Sequence, residues 1–379
     1  MKKAWPTRTL GDVCEVVNGG TPKTGVPEYW DGKHRWITPA EMGRRLSPYV
    51  GETERTLTDL GLRNSSAQML PPNSVILSSR APIGHLIINT KPMATNQGCK
   101  GLIPGGQLEF QFLYYYLSSI VDLLNSLGTG ATFKELSGSK LKEVPIPVPL
   151  LSEQQRIVRL LDDAFDGLGL ASANAERNLK SARAIFKSHL ETVFAQRHKG
   201  WVKKPIAECF KVRSGDFLPA RSMVEGGQFD VYGGNGINGK HDRTNLTGEN
   251  IIIGRVGAKC GNVRYVSGQV WVTDNAVVIS KYFCPFDLHF LTRLLERKDL
   301  RNRANQMAQP VISYTTIKDV LLEFPSSKEE QKSIADGLDA IEEETQSLAG
   351  LYERKLAALE ALKKSLLHQA FAGQLRTAL

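Results

Sequence analysis

Cationic and amide side chains are concentrated in loop-like stretches of this sequence, between short β-branched segments rich in glycine and proline. Arginine and lysine bind phosphate and the guanine edge, whereas asparagine and glutamine match the adenine edge. Such side chains could bind a polyanion and distinguish its bases. In the first half of the chain the candidates are Lys23, Lys33, Arg35, Arg44, Arg45, Arg80, Asn96, Gln97 and Lys100. In the second half they are Arg213, Arg221, Asn235, Asn238, Lys240, Arg243, Arg255, Lys259 and Arg264.

The overall charge also favours a polyanionic partner. The 379 residues carry a net charge of +9, with a pI near 9.2. Residues 152–197 and 328–373, which have a helical pattern, together sum to −2, so the rest of the chain carries +11. The positive charge therefore lies outside the helical segments, where it would attract phosphate.

One glycine pattern suggests nucleotide binding instead. GGNGINGK (233–240) matches G-x-G-x-x-G, and it nearly matches a P-loop, except that His241 stands where Ser or Thr would hold magnesium. Both motifs must open a helix after a strand, yet the following HDRTNLTGEN is polar turn material. A glycine-rich turn that faces a partner is the preferred interpretation.

No catalytic or metal-binding pattern is evident. The seven histidines form no HExxH pair, and GxSxG and Asn-Pro-Pro-Tyr motifs are absent. The cysteines lack CxxC spacing and are expected to be reduced and buried; they are Cys14, Cys99, Cys209, Cys260 and Cys284. We therefore expect a non-enzymatic chain with no cofactor or metal of its own.

The start of the chain, MKKAWPTRTL, lacks the apolar core of a signal peptide. No apolar run reaches the roughly 18 residues that a membrane span requires. We expect a cytoplasmic protein without a membrane partner.

The chain repeats itself. With a shift of 176, residues 132–158 align with 308–334 without a gap, which places Gln155 on Gln331. With a shift of 177, residues 176–195 and 353–372 share nine identities in twenty positions. The preceding blocks repeat more loosely, with matches such as VILSSRAPIGH to IIIGRVGAKCG and ATNQG to VTDNA. The helical segments, which repeat closely, thus share one role. The blocks, which repeat loosely, share a second role that each performs in a different form.

The pattern predicts an α+β fold with four segments. Two globular blocks of the α/β type, 1–151 and 200–327, alternate with helical regions at 152–199 and 328–379. In the blocks, short β-branched runs predict strands, followed by one amphipathic helical pattern near each block's end. The order block, helix, block, helix predicts a pseudo-twofold internal repeat.

Each long helix follows a proline-containing segment, VPIPVPLL or LEFPSS. Ser152 with Gln155, and Ser327 with Glu330, predict capping boxes at the two helix starts. The interior glycines predict kinks or frayed turns; they are Gly167, Gly169, Gly337 and Gly350.

Charge predicts how the two helices pair. Residues 152–174 and 328–350 have net charges of −2 and −5, whereas 175–197 and 351–373 have +3 and +2. Antiparallel packing sets each acidic half beside a basic half, so we predict an antiparallel coiled-coil spacer. About 46 residues of helix span roughly 69 Å, which would hold the blocks at a fixed separation.

Several stretches together carry a family resemblance. They are NGGTPKTGVPEYWDGKHRWIT (18–38), SSRAPIGH (78–85), TNQG (95–98), VPIPVPLLSEQQRIV (144–158), YGGNGI (232–237) and SLLHQAFAGQL (365–375). Over essentially its full length, the chain resembles the specificity subunits of type I restriction-modification systems. The second block departs from the pattern, because VRSGDFLPA lacks the YW-Gly-W stretch and FPSSKEEQ replaces the double-proline lead. These departures suggest a different half-site specificity in the second block.

The resemblance implies that each block is a target-recognition domain that reads one half of a bipartite DNA target through the major groove. The helices would set the unread gap and dock two methyltransferase subunits, which methylate adenine. Restriction and translocase subunits would then join the complex. S-adenosylmethionine, ATP and magnesium would belong to those partner subunits.

A second interpretation comes from another class of protein. The helical pair could be the rigid arm of a scaffold whose basic blocks bind proteins or RNA. Dependence of DNA methylation on this chain would separate the two interpretations.

Overall fold

The computed structural model describes residues 5–130, 134–195, 200–257, 259–304 and 310–375. The predicted domain boundary between residues 199 and 200 lies at the edge of a described range. The last residues of the predicted C-terminal helical region, 376–379, lie outside the described residues. The chain divides into two compact units, Met1–Ala175 with Lys355–Leu379, and Glu176–Arg354. Each unit therefore contains one block and a part of each long helix.

In the residues that the structure describes, the first block has ten strands and six short α-helices. Its strands β1 to β10 are Thr7–Thr9, Cys14–Asn18, Trp30–Ile37, Tyr49–Val50, Arg55–Leu57, Val75–Ser79, Ile83–Asn89, Met93–Thr95, Cys99–Pro104 and Pro145–Pro147. Its helices α1 to α6 are Leu10–Val13, Pro39–Met42, Asp59–Arg63, Phe110–Ser119, Val121–Leu127 and Gly138–Lys142.

These strands form three sheets. A five-stranded sheet has the order β2-β9-β6-β7-β4, and a three-stranded sheet has the order β5-β3-β8. The short antiparallel pair β1-β10 closes the block, because it joins the start of the block to its last strand. The predicted helical pattern QFLYYYLSSIVDLLNSL becomes α4 and α5, which are separated at Ile120.

The first long helix, α7, spans Leu151–Ala195. Its start differs from the predicted capping box, because the helix begins before Ser152 and the first-turn amides of Glu153 and Gln154 donate to the Leu150 carbonyl. The prediction that Ser152 caps this helix is therefore wrong. The serine is already inside the first turn, where its hydroxyl cannot serve as N-cap.

The second block repeats the architecture, with ten strands and three short α-helices in its described residues. Its strands β11 to β20 are Trp201–Pro205, Phe210–Ser214, Phe229–Gly233, Gly236–His241, Leu246–Thr247, Asn250–Gly254, Val263–Val266, Gln269–Val272, Ala276–Tyr282 and Leu321–Pro325. Its helices α8 to α10 are Ile206–Cys209, Leu288–Arg297 and Tyr314–Ile317. The sheets have the orders β12-β19-β16-β17 and β14-β13-β18-β15, and β11 pairs with β20.

The second long helix, α11, spans Lys328–Phe371. Ser327 caps it, since its hydroxyl accepts from the Glu330 amide at 3.3 Å. The reciprocal half of the predicted box is absent, because Glu330 instead accepts from the Trp201 indole N–H at 3.2 Å. Half of this prediction is therefore confirmed.

Matching hydrogen bonds confirm the duplication. The Leu10 amide donates to the Val144 carbonyl at 2.8 Å, and the Ile206 amide donates to the Val320 carbonyl at 2.9 Å. Strands β2, β9, β6 and β7 thus correspond in order to β12, β19, β16 and β17. The predicted fold class, two α+β domains with an internal repeat and two long helices, is confirmed.

Two buried glutamines correct the alignment by one residue. Gln154, which is fully buried, accepts from the amide of Glu109 at 2.9 Å and donates to the Pro149 carbonyl at 2.8 Å. Gln331 makes the same bonds to Asp287 and Pro325, at 2.9 and 2.8 Å. Gln154 rather than Gln155 is therefore the counterpart of Gln331, because Gln154 lies five positions after Pro149 whereas Gln331 lies six positions after Pro325.

The long helices run antiparallel within the first unit. Ile157 and Leu161, near the start of α7, share one core with Leu367 and Ala370, near the end of α11. Phe371 packs edge-on against Phe112 of α4, with ring centroids 5.1 Å apart. The first block thus packs against the beginning of α7 and the end of α11.

The second unit has the same arrangement with the helices exchanged. Leu190 near the end of α7 lies in one core with Ala335 and Leu338 near the start of α11. Phe194 packs against Phe290 of α9 at 5.5 Å. The predicted antiparallel direction of the two long helices is confirmed, and the apolar cores that they share with the blocks stabilise it.

Charge matching between the helices is less regular than we predicted. Arg183 of α7 pairs with Glu353 of α11 at 2.7 Å. Glu353 lies in the half of α11 that has the positive net charge, so this pair does not follow the predicted acid-to-base matching. Both helices are assigned without a break through their glycines, and no predicted frayed turn occurs there. The glycines at 167, 169 and 337 have open space around the Cβ position, so they fill no packing role.

All five cysteines are buried and unpaired, as expected of core thiols. Burial raises the pKa of the Cys14 thiol to about 12. Among the described residues, no helix has the length and apolarity required to cross a membrane.

Candidate nucleic-acid interface

Three segments of the first block meet where β2, β6 and β9 approach one another. The Gly19 amide donates to the Cys99 carbonyl at 3.2 Å, and the Ser79 amide donates to the Gly98 carbonyl at 2.7 Å. A Cβ at Gly19 would lie 2.0 Å from the carbonyl oxygen of Asn96, so only glycine fits. We call residues 18–21, 78–80 and 95–100 the first loop cluster. It joins the NGGT, SSR and TNQG segments that the sequence analysis singled out.

The two predicted amide readers of this cluster have different roles. Asn96 donates from Nδ2 to the Thr21 hydroxyl at 2.9 Å, and its Oδ1 accepts from the Gly98 amide at 2.8 Å. Asn96 therefore holds the turn together. Gln97 is exposed and accepts from the Thr21 hydroxyl, so its amide group remains at the surface.

The two predicted cations of this cluster lie around one carboxylate. Arg80 Nη1 is 3.6 Å and Lys100 Nζ is 3.8 Å from the oxygens of Glu135. The side chain of Lys100 is only 7% exposed. Burial lowers the pKa of the Lys100 ammonium, and Glu135 opposes that shift.

Other predicted cations of the first block lie on or beside the three-stranded sheet and are paired with acids. Lys33 Nζ is 2.9 Å from Asp59. Arg35 donates to both oxygens of Glu52 at 3.0 Å, and Lys91 contacts the same carboxylate. Their charges are thus largely compensated by neighbouring carboxylates.

The loop after α2 shows the same pattern. Arg44 donates to both oxygens of Glu54 at 2.7 and 2.6 Å. Arg45 donates to Glu41, whose side chain is only 2% exposed. Lys23 differs, because its side chain is exposed and, among the described residues, only its backbone carbonyl is engaged, by Trp30 Nε1 and the Val26 amide, each at 3.3 Å.

Titration of Glu52 tests this pairing. Hydrogen bonds from Arg35, then Lys91, lower the pKa of the Glu52 carboxyl to about 2. Its contribution to stability is therefore present above the ordinary carboxyl pKa and is lost as the pH falls towards 2. We expect Arg35→Gln to move the pKa upward, towards its ordinary value, in an NMR titration of the side-chain carboxyl. The matched variant Arg44→Gln should leave Glu52 unchanged; an equal shift in both variants would contradict the assignment.

The second block builds an equivalent cluster. The Gly215 amide donates to the Ala276 carbonyl at 3.1 Å, and the Arg255 amide donates to the Asn275 carbonyl at 2.9 Å. A Cβ at Gly215 would lie 2.4 Å from the Val272 carbonyl oxygen, which repeats the requirement found at Gly19. We call residues 214–216, 254–256 and 272–277 the second loop cluster.

Cations in and beside the second cluster are held by carbonyls instead of carboxylates. Arg255 Nη1 donates to the Asp274 carbonyl at 3.0 Å. Arg264 Nη2 donates to the Asn235 carbonyl at 3.1 Å, which brings the YGGNGI segment to this site. Arg213 is exposed on β12 and donates to the Ser214 carbonyl at 3.3 Å. Carbonyls orient these guanidinium groups, and no carboxylate in the described part of the chain forms an ion pair with them.

The remaining candidates of the second block are spread around the other sheet. Lys240 pairs with Asp230 at 2.9 Å. The other side chains are exposed and have no polar partner among the residues that the structure describes; they are Arg221, Asn238, Arg243 and Lys259. Among the candidate cations that the structure describes, fewer have an acidic partner in the second block than in the first.

The glycine pattern at 233–240 forms a hairpin. Strand β13 ends at Gly233 and β14 begins at Gly236, and the two strands pair with each other. Gly236 has a φ of +117°, which favours glycine. No helix follows, so the amides of a helix start cannot cradle a phosphate as the nucleotide-binding motifs require.

Sequence reasoning missed the carboxylates that hold the first block's cations, although GETER (51–55) carries a signal in its alternating charge. It also missed exposed apolar side chains near the candidates. Leu46 is fully exposed beside Arg45, and Phe217 is 74% exposed. Apolar contact with the thymine methyl group is one means of reading a base.

Comparison with known proteins identifies the family. The Type I restriction modification DNA specificity domain matches residues 2–176 and again residues 198–354. The MjaIX specificity subunit of Methanocaldococcus jannaschii is 32% identical over an alignment of 237 residues that covers 58% of this chain and 55% of that protein. The EcoprrI specificity subunit of Escherichia coli is 27% identical over 89% of this chain and 88% of that protein. The chain thus spans about half the length of the first relative and most of the second.

Solved structures share the fold. A chain from a study of complex assembly and conformational transition of the type I R-M system has a TM-score of 0.81 and 17% identity, with 99% of each chain covered. The HsdS subunit of Thermoanaerobacter tengcongensis has a TM-score of 0.63 and 17% identity, with 99% of this chain and 98% of that chain covered. With two matches to the specificity domain covering most of its length, the chain belongs to the family of type I restriction-modification DNA specificity proteins.

Proposed function

We propose that this chain is the DNA sequence-recognition subunit of a type I restriction-modification complex. Each block reads one half of a bipartite target in double-stranded DNA. The observation that carries the proposal is the pair of loop clusters, which share a backbone framework but present different side chains. Where the first block has Ser79 and Lys100, the second has Arg255 and Val277 at the corresponding register positions. A common frame with different surface chemistry suits two different half-sites.

The long helices, in this proposal, set the length of the unread gap and dock two methyltransferase subunits. Each is a single helix of 44 or 45 residues that contributes to both units. Restriction and translocase subunits then join, and the assembly acts in the cytoplasm. The chain itself performs no catalysis, and S-adenosylmethionine, ATP and magnesium are bound by the partner subunits.

Co-expression tests the proposal. The chain is produced with adenine-methyltransferase subunits of a type I system in a host without its own methylation, and methylated adenines are mapped across the host genome. We expect one asymmetric, bipartite motif with a constant gap, and no methylation when the chain is omitted. Methylation that does not depend on the chain would contradict the proposal and favour a scaffold.

A further inference from the structure

The first loop cluster contains a lysine that has no carboxylate within hydrogen-bond distance among the residues that the structure describes. The Lys100 side chain is 7% exposed and lies 3.8 Å from Glu135, beyond hydrogen-bond length. Arg80 approaches the same carboxylate at 3.6 Å and is 34% exposed. Within the described ranges, neither cation donates a side-chain hydrogen bond to another residue. Buried charged groups in proteins are normally both paired and hydrogen-bonded.

One carboxylate shared by two cations leaves an excess positive charge. Salt bridges elsewhere in the same block are shorter, for example 2.9 Å between Lys33 and Asp59. Burial lowers the pKa of Lys100, which shows that Glu135 does not fully offset the loss of solvent. An additional anion would supply the missing charge and hydrogen-bond acceptors.

The equivalent place in the second block is apolar. Lys100 lies opposite Leu77 in the β6–β9 pair, and Val277 holds the same register in the second block. The isolated bridge between Arg80 and Glu135 is repeated there between Val256 and Val311. All three charged residues are therefore replaced by valine, so the fold does not require the charges in order to form.

We propose that Arg80 and Lys100 form a preformed site for a phosphodiester anion of the DNA backbone, specific to the first block, in which Glu135 only partly neutralises the two cations. The inference rests on the proposed function and adds the ligand group and the residues that bind it. The phosphate would approach beside Glu135 and accept hydrogen bonds from both cations. This contact would position the first block on its half-site without reading a base.

The test compares Lys100→Met with Lys91→Met in the full-length chain assembled with its methyltransferase subunits. Lys91 is a surface lysine of the same block that pairs with Glu52. The probe is a duplex that carries the bipartite motif obtained from methylation mapping. Loss of one phosphate contact is expected to weaken binding by about tenfold. It should also reduce the slope of log K against log salt by about 1, whereas Lys91→Met leaves the slope unchanged.

Glu135→Gln distinguishes this site from a structural ion pair. If the two cations bind phosphate, removal of the carboxylate leaves more positive charge, and binding should tighten by about threefold. If Glu135 only stabilises the block, the variant should bind more weakly and unfold at a lower temperature. Thermal unfolding of each variant shows whether the fold is retained.

A duplex with one neutral methylphosphonate linkage locates the contact. Moving this linkage through the first half-site should identify one position at which wild type and Lys100→Met bind equally. An unchanged salt slope for Lys100→Met, or weaker binding by Glu135→Gln, would overturn the site while chain-dependent methylation left the proposed function standing. Loss of chain-dependent methylation in the wild type would overturn both.

Discussion

Replacement of Arg293 by methionine is expected to lower the free energy of unfolding of the second unit by about 2 kcal/mol, because it removes the cation that is shared by three partly exposed carboxylates. Arg293 on α9 is 16% exposed and donates to Asp339 of α11 at 2.8 Å. It also contacts Glu342 and lies 5.3 Å from the ring centre of Phe186 on α7. One side chain thus joins the second block to both long helices. Urea unfolding measured by circular dichroism checks the value.

The loss of unfolding free energy in Arg293→Met, called the deficit below, should depend on pH. Burial raises the pKa of Glu296, and Arg293 at 3.3 Å opposes that shift. Without Arg293, Glu296 should bind a proton at higher pH in the folded chain than in the unfolded chain. Protonation then favours the folded state, so the deficit should shrink as the pH falls below about 5. A deficit that is constant between pH 4 and 8 would contradict the electrostatic cause.

Two further variants serve as controls for Arg293. Lys332→Met removes an exposed cation of α11 and should change stability by no more than about 0.5 kcal/mol. Asp339→Asn with Glu342→Gln, added to Arg293→Met, should recover part of the loss because the unpaired carboxylates are then neutral. If the triple variant is no more stable than the single one, lost packing rather than charge explains the effect.

Replacement of Gln154 by leucine is expected to cost about 2 kcal/mol, and Gln331→Leu should cost a similar amount. Each glutamine accepts from the N-cap amide of a short helix, Glu109 or Asp287. Each also donates to carbonyls on two sides, and neither is exposed. Leucine fills the volume but leaves these buried groups without partners. Thermal and urea unfolding measure both losses.

The neighbouring Gln155→Leu is a matched control, since Gln155 is exposed on the next position of the same helix. It should leave stability within about 0.5 kcal/mol of the wild type. The same comparison decides the repeat alignment. A large loss for Gln155→Leu with none for Gln154→Leu would reverse the correspondence with Gln331.

The sequence was sufficient to predict the duplication, the fold class and the antiparallel helices, because these depend on periodicity and repeated segments. It missed a one-residue offset at the helix start. The match of Gln155 to Gln331 was the better one in sequence, and only the fold shows that Gln154 is the glutamine buried like Gln331. The start of α7 at Leu151 likewise depends on the Leu150 carbonyl, and no side chain marks it.

The candidate site was less predictable than the fold. Residue type suggested Arg35 and Arg44 as binding cations, yet Arg35 forms a bidentate pair with Glu52, and Arg44 donates from Nη2 to both oxygens of Glu54. Asn96 was predicted to read bases, but its amide shapes a turn with Thr21. Long-range partners depend on strand pairing, which sequence patterns do not specify to the residue. The role of each candidate in DNA binding remains a prediction.

Equivalent contacts between each block and a long helix also connect the fold to the proposed function. Tyr115 on α4 donates to Asp162 of α7 in the first unit, in the place where Arg293 on α9 meets Asp339 of α11 in the second. The two blocks thus contact a long helix at equivalent positions, through a tyrosine hydroxyl in the first unit and an arginine guanidinium in the second. Since each block holds both helices, a change in helix length should be transmitted to the blocks.

Four residues inserted into both long helices test the central claim most directly. The insertions follow Ala175 in α7 and Arg354 in α11, where the two units divide. One added turn lengthens each helix by about 6 Å, so the gap of the methylated motif should grow by about two base pairs. An insertion in one helix alone serves as control and should abolish methylation. Unchanged half-sites with a longer gap are the predicted result; changed half-sites with the original gap would contradict the account.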